Sequence, residues 1–205
     1  MPERVLVTGA TGFVAGHLVE FLLNHTDAEV YAAKRRRSDT SLPEHTDRVH
    51  WVEMDVTDAH NVFSTVRSVR PTHLFHLAAQ SFVPTSWISP AETLSINAIG
   101  TVNLLDAVKS LDLDTRIQVA GSSEEYGDVR PSELPIREEN PLRPLSPYGV
   151  SKVSADLAGC QYHRSFGLDV IVTRAFNHTG PGGESLWNPT SASKSQPSKW
   201  ARASP

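Results

Sequence analysis

The sequence predicts a doubly wound α/β fold, in which a parallel sheet is covered on both faces by helices. Two observations carry that expectation. Short β-branched runs alternate with segments of helical period along the chain, and parallel neighbours need such crossover connections. The first run also breaks into glycines immediately before a helix-like segment. Element by element, Arg4–Thr8 (RVLVT) reads as a strand, and Phe13, Val14, Leu18, Phe21 and Leu22 follow at helical spacing. Strands are expected at 29–33 and about 50–53, then a helix near Ala59–Val69 that stops before Pro71. A fourth strand is expected at 72–77. A long helix over about 90–110, carrying Leu94, Ala98, Val102, Leu105 and Val108, leads to a strand at 115–120. Prolines at 131, 135, 141, 144 and 147 forbid regular helix, so 128–147 reads as a long loop, a feature that is usually functional. Helix resumes over about 148–166, and DVIVTR at 169–174 gives a sixth strand.

Composition bounds the reading. The chain has 205 residues, 39% hydrophobic and 20% charged, which suits a soluble globular domain with one sizeable core. A formal net charge of -4 gives no global attraction to nucleic acid or an anionic membrane, so affinity for an anion must be local. The lone Cys160 excludes an internal disulfide and reads as a small packing residue. With no signal pattern after Met1 and no run of 18 apolar residues, a cytoplasmic location and no membrane partner are expected.

Between the first strand and helix, Gly9, Gly12 and Ala15 give the spacing G-x-x-G-x-x-A, with Gly16 next. A pyrophosphate needs a turn of positive φ, close backbone approach and helix N-terminal amides. The string T-G-A-T-G-F-V, in that place, resembles the fingerprint of extended short-chain dehydrogenases/reductases, whose dinucleotide fold is Rossmann-like. That resemblance implies that Gly9, Thr11, Gly12, Phe13 and Val14 hold a dinucleotide. The family usually has glycine where Ala15 stands. After the second strand, an NAD site would place a carboxylate on the ribose 2′-hydroxyl, but the sequence offers Lys34, Arg35, Arg36 and Arg37. Such a cluster pairs with a 2′-phosphate, so NADP(H) is the expected cofactor, with Arg35 and Arg36 as its contacts. Asp55 and Val56 in M-D-V resemble the family segment at the adenine, and Leu77, Ala78, Ala79 and Gln80 the segment lining the cofactor.

Tyr148 and Lys152 stand four apart at the start of a helix and project from one face. Carbonyl reduction needs a proton donor beside the developing alkoxide, and a tyrosine near pKa 10 needs a cation to stabilise its phenolate. Lys152 is expected to supply it. The pair follows the strand end Gly121-Ser122-Ser123-Glu124 at the interval typical of the same family, which makes Ser122 the hydroxyl that orients the reacting oxygen and Ser123 its neighbouring candidate. Asn97 resembles a family position that shapes the active site, and its structural role weighs as much as a catalytic one.

The strings G-S-S-E-E-Y-G, L-R-P-L-S-P-Y-G-V-S-K and T-R-A-F-N-H-T-G-P-G are similar to those of GDP-4-dehydro-6-deoxy-mannose reductases and their relatives, the GDP-mannose 4,6-dehydratases. The resemblance runs from about Arg4 to Gly183. It implies a nucleotide-sugar substrate faced by Ser81, Glu124 and Asn177, with Arg174 near its phosphates or serving only as a strand-end polar group. Dimers through helices flanking the active site are common among such relatives, so a homodimer is compatible. Both reactions use hydride chemistry. A dehydratase must also take a proton from C5 and expel the C6 hydroxyl, which suits Glu124 as a further catalytic residue. Glu125 matches the reductase string, whereas dehydratases tend to have an apolar residue there. Reductase is the expected activity and dehydratase the alternative.

After Gly183 the pattern collapses, with no period of 2.0 or 3.6. Residues 1–183 are therefore expected to form the NADP-binding domain and 184–205 an irregular tail, the family's C-terminal substrate lobe being missing. With suitable wobble bases, the codons of 186–205 read two bases later give V-E-P-D-F-C-K-Q-I-A-A-I-E-M-G-K-G-I-T. Its aspartate after proline and its Phe, Ile and Ile at i, i+4 and i+7 make an amphipathic helix. A frameshift is the expectation, a natural disordered tail the alternative, and a catalytically impaired dinucleotide-binding fragment the second functional alternative.

Overall fold

A computed structural model describes residues 3–36 and 48–178. Its sheet has six parallel strands in the order β3-β2-β1-β4-β5-β6: β1 Arg4–Thr8, β2 Glu29–Lys34, β3 Val49–Glu53, β4 His73–His76, β5 Arg116–Ala120 and β6 Val170–Thr173. Every expected strand is present, with ends moved by one or two residues. The strand order reverses between β1 and β4, and the crevice at the carboxyl ends there is where α/β sheets bind ligands.

Alternation along β1 divides the core. Val5 and Val7 pack with Ala15, Val19 and Leu22 of α1, Phe13–His25. Leu6 points the other way, into a layer formed by α2 (Ala59–Val69), α5 (Gly100–Ser110) and α6 (Pro147–Phe166). The helix ends are chemically marked. Asp58 caps α2 by accepting from His60 N and Asn61 N, and Arg70 ends it in the left-handed region at φ 46. Ser146 caps α6 through Gly149 N at 3.0 Å, Pro147 opens it, and Gly167 closes it at φ 75.

Two features depart from the expected pattern. A short helix, α3 (Val83–Ile88), precedes the long one. The long helix is interrupted: α4 (Pro90–Leu94) passes through one π-helical turn, Ser95–Ile99, before α5, and Gly100 N reaches back to Ser95 O. Hydrophobic spacing does not reveal one extra residue in a turn, and such bulges cluster at functional sites. Residues 128–146 form the expected loop, which ends one residue early because Pro147 opens α6, with one short 3-10 turn at Pro131–Glu133. The loop is closed on itself by Asp128 N donating to Arg143 O at 3.0 Å and by an Arg143–Glu133 ion pair. Arg37, Gly183 and the tail 184–205 lie outside the described residues.

Candidate active site

The turn after β1 is built for close approach. Gly9 has φ +65, and a Cβ there would sit 2.8 Å from the Ala78 backbone, so no side chain fits. Thr8 Oγ1 accepts from Leu77 N at 3.2 Å and Ala78 N at 3.0 Å, which locks the segment after β4 against this turn. Gly12 caps α1 without a side-chain hydrogen bond, and the first turn holds no acidic residue. The leading amides are therefore left for an anion, and the residues present fit a dinucleotide pyrophosphate.

On the β2–β3 side a cavity of about 340 Å³ is lined by Thr11, Lys34, Arg35, Asp55, Val56 and Ala78, among others. Arg35 and Arg36 are exposed, whereas Lys34 is drawn over the Trp51 ring, 5.1 Å from its centroid. Asp55 Oδ1 accepts from Thr57 N at 2.9 Å and Thr57 Oγ1 at 2.7 Å. Those bonds hold its carboxyl below the usual range, with Arg35 adding to the effect.

On the other side a cleft of about 820 Å³ joins the glycine turn, Phe13 and Val14 to Ser122, Tyr148 and Lys152. Ser81, Ser123, Glu124 and Asn177 also line it, as do Phe176 and His178, which sequence reasoning did not single out. Ser122 begins a tight turn: its Oγ accepts from Glu124 N at 3.2 Å, and its own N–H donates to Glu125 Oε1 at 2.7 Å. Ser123 N donates to Ala175 O at 2.9 Å, tying the turn to the segment after β6. Gly149 is needed beside Tyr148 because a Cβ would meet Glu124 O at 2.7 Å.

Tyr148 is buried, and that burial pushes its phenol pKa up while the Ser122 hydroxyl beside it pulls down. Lys152 Nζ donates to Ala120 O at 2.8 Å and lies 5.9 Å from the Tyr148 ring centroid. Burial lowers the ammonium to about 8, with Glu125 opposing. The phenol is thus protonated at neutral pH, the state a proton donor requires.

Behind the pair a buried chain of polar groups fixes the helices. Thr101 Oγ1 donates to Asn97 O at 2.6 Å, so it accepts from His76 Nε2 at 3.0 Å, and His76 Nδ1 accepts from Thr8 Oγ1 at 2.8 Å. Asn97, in the π-helical turn, accepts from Gln80 N at 2.8 Å and donates to Gln80 O and to Ser151 Oγ at 2.9 Å. Ser151 Oγ donates to Tyr148 O at 2.6 Å. Asn97 is buried at 1% exposure and holds the site from behind. Arg174 is held at Asp156 Oδ2, 2.7 Å, and Glu138 O, 2.9 Å, and does not line either cavity. Of the two roles expected for Arg174, the strand-end polar role is the one these contacts fit, because buried carboxylates hold the guanidinium. Among the described residues no three His, Cys, Asp or Glu side chains group to hold a metal ion, and no helix is long and apolar enough to cross a membrane.

Comparison with known proteins adds to this geometry. The family model described as GDP-mannose 4,6 dehydratase matches residues 6–191. The chain is 37% identical to GDP-mannose 4,6-dehydratase of Yersinia enterocolitica, covering 87% of this chain and 50% of that protein. It is 35% identical to GDP-6-deoxy-D-mannose reductase of Pseudomonas aeruginosa, covering 89% and 54%. Among solved structures, RMD from Pseudomonas aeruginosa complexed with NADPH aligns at TM-score 0.73 and 34% identity, over 90% of this chain and 57% of that one. DesIV, a dTDP-glucose 4,6-dehydratase from Streptomyces venezuelae with NAD and TYD bound, aligns at TM-score 0.78 and 31% identity, over 87% and 57%. The chain spans about half the length of the curated relatives it matches.

Proposed function

This chain belongs to the GDP-mannose 4,6-dehydratase family, and from that premise we propose that it forms the cofactor-binding and proton-transfer part of an NADP(H)-dependent oxidoreductase acting on a nucleotide-linked sugar. The reaction we assign is reduction of the C4 ketone of GDP-4-dehydro-6-deoxy-mannose. The observation that carries this reading is the convergence of the glycine turn, Ser122, Tyr148 and Lys152 on one cleft of about 820 Å³.

NADPH, when bound, supplies the hydride that arrives at C4. Tyr148 gives its Oη proton to the ketone oxygen as the alkoxide develops, leaving one C–H and one O–H bond formed. Ser122 hydrogen-bonds the same oxygen and orients it. Lys152, still largely protonated at neutral pH with a pKa of about 8, stabilises the phenolate left behind by its charge. Arg35 and Arg36 pair with the 2′-phosphate. The basic pair and the NADPH bound to the Pseudomonas aeruginosa structure support NADP(H) over NAD(H).

A second reading has its own observation. Glu124 is exposed and lines the cleft beside Ser122, where a carboxylate suits removal of a C5 proton and protonation of the departing C6 hydroxyl. That chemistry is GDP-mannose 4,6-dehydration. Both are separated by assaying the 205-residue chain with each sugar nucleotide. NADPH consumed with the keto sugar identifies the reductase. A 4-keto product from GDP-mannose with no net NADPH consumption identifies the dehydratase. NADPH binding without turnover identifies a dinucleotide-binding portion, and absence of binding removes the proposal.

A further inference from the structure

Glu125 is fully buried, at 0% exposure, although sequence reading separates it from its neighbour Glu124 only as a family marker. Its two oxygens have different surroundings. Oε1 accepts from the backbone N–H of Ser122 at 2.7 Å. Oε2 lies 3.2 Å from Arg174 Nε, but that N–H is aimed at Asp156 Oδ2 at 2.7 Å, and Oε2 is left with no hydrogen bond of its own. Two buried carboxyl groups thus compete for one guanidinium. A lone buried acceptor beside a second carboxylate is resolved by one proton held between them.

We propose that Glu125 is a positioning residue of the active site, whose Oε1 fixes the Ser122 backbone and whose proton, shared with Asp156, sets how much negative charge faces Lys152. The inference rests on the functional reading above for its meaning, not for its geometry. Glu125 and Lys152 flank the same peptide: Lys152 Nζ is bonded to Ala120 O at 2.8 Å, and a Cβ on Gly121 would lie 2.5 Å from Glu125 Oε1. The groups that face the Glu125 carboxyl are Asp156, Lys152 and Tyr148 from α6 and Arg174 from the segment after β6. Burial raises the carboxyl to about 7, with Asp156 adding and the Ser122 N–H and Arg174 opposing. Its charge therefore changes near neutrality, just below the range where Lys152 titrates.

The test reads Lys152 directly. The chain is labelled with 13C at lysine Cε, the Lys152 signal is identified by its loss in Lys152→Arg, and its midpoint is followed against pH. Glu125→Gln keeps an acceptor for Ser122 N–H and a donor toward Asp156 but carries no charge, so the Lys152 midpoint should fall. Asp156→Asn removes the carboxyl that shares the proton, so the Glu125 carboxyl, followed by 13C at glutamate Cδ and identified by its loss in Glu125→Asp, should titrate at lower pH. A structural role alone predicts neither shift. An unmoved Lys152 midpoint in folded Glu125→Gln, or an unmoved or raised Glu125 midpoint in folded Asp156→Asn, overturns the proposal, and Asp156→Asn decides alone if Glu125→Gln does not fold. NADPH binding is measured on the same samples: its absence would count against the oxidoreductase reading while leaving the Glu125 result intact.

Discussion

At the scale of single residues, the site divides into groups that carry charge and groups that make room. Arg35 and Arg36 are exposed at the end of β2, free to pair with a phosphate, while Lys34 is occupied by the Trp51 ring. Replacing both arginines by alanine should abolish a preference for NADPH over NADH worth on the order of 1–3 kcal/mol, the range for charge-assisted hydrogen bonds. Fluorescence titration with both cofactors checks this, and equal affinities in the unmutated chain would remove the basis of the assignment. Tyr148 makes the complementary case. Its ring is buried and its hydroxyl lies beside Ser122, so Tyr148→Phe keeps the packing and loses the proton. NADPH affinity should stay within about twofold while reduction falls below detection. Retained turnover would exclude Tyr148 as the donor.

At the scale of elements, the buried chain Thr8–His76–Thr101 binds the end of β1 to β4 and the π-helical turn, from which Asn97 and Ser151 continue to α6. Burial, with Lys152 contributing, pushes His76 from 6.5 down to about 3, so it is neutral in the fold. The sign follows. The unfolded chain takes up a proton below about 6.5 that the folded chain refuses until about 3, so stability is present above that window and is lost as pH falls through it. His76→Gln can accept from Thr8 and donate to Thr101 without titrating. Its unfolding free energy should fall less steeply between pH 6.5 and 4, by up to several kcal/mol over the full window; equal slopes would mean that His76 protonates without unfolding. Most of this frame was legible beforehand. Strands and helices show as periodicity, and the glycine turn and the Tyr148–Lys152 pair show as spacing. The π-helical turn was not, because one extra residue leaves hydrophobic spacing nearly unchanged. Nor was the fate of Glu125 and Arg174, since composition cannot distinguish a buried carboxylate from its exposed neighbour until Asp156, 31 positions along the chain, is brought beside it.

At the scale of the whole molecule, the candidate dinucleotide site crosses the boundary between the two core layers. The glycine turn belongs to the layer of Val5, Val7, Ala15 and Val19, whereas Tyr148 and Lys152 stand on α6, packed on the layer of Leu6, Leu74 and Ile117. A ligand held at both ends therefore adds a link between elements already joined through the sheet and through the Thr8–His76–Thr101–Asn97–Ser151 chain. Anything that binds the folded chain alone stabilises it by mass action, about 2.7 kcal/mol at a concentration 100 times Kd. The melting temperature of the 205-residue chain should accordingly rise with NADPH concentration. The control is Gly9→Ala. A methyl group there would stand 2.8 Å from the Ala78 backbone at φ +65, a conformation costing on the order of 1–3 kcal/mol for a non-glycine residue. The variant should melt lower and show little further rise with NADPH, because the added carbon also occupies the space through which the backbone approaches the pyrophosphate. Differential scanning fluorimetry across a cofactor series measures both effects. A variant that still rose with NADPH as steeply as the unmutated chain would place the dinucleotide away from the β1–α1 turn.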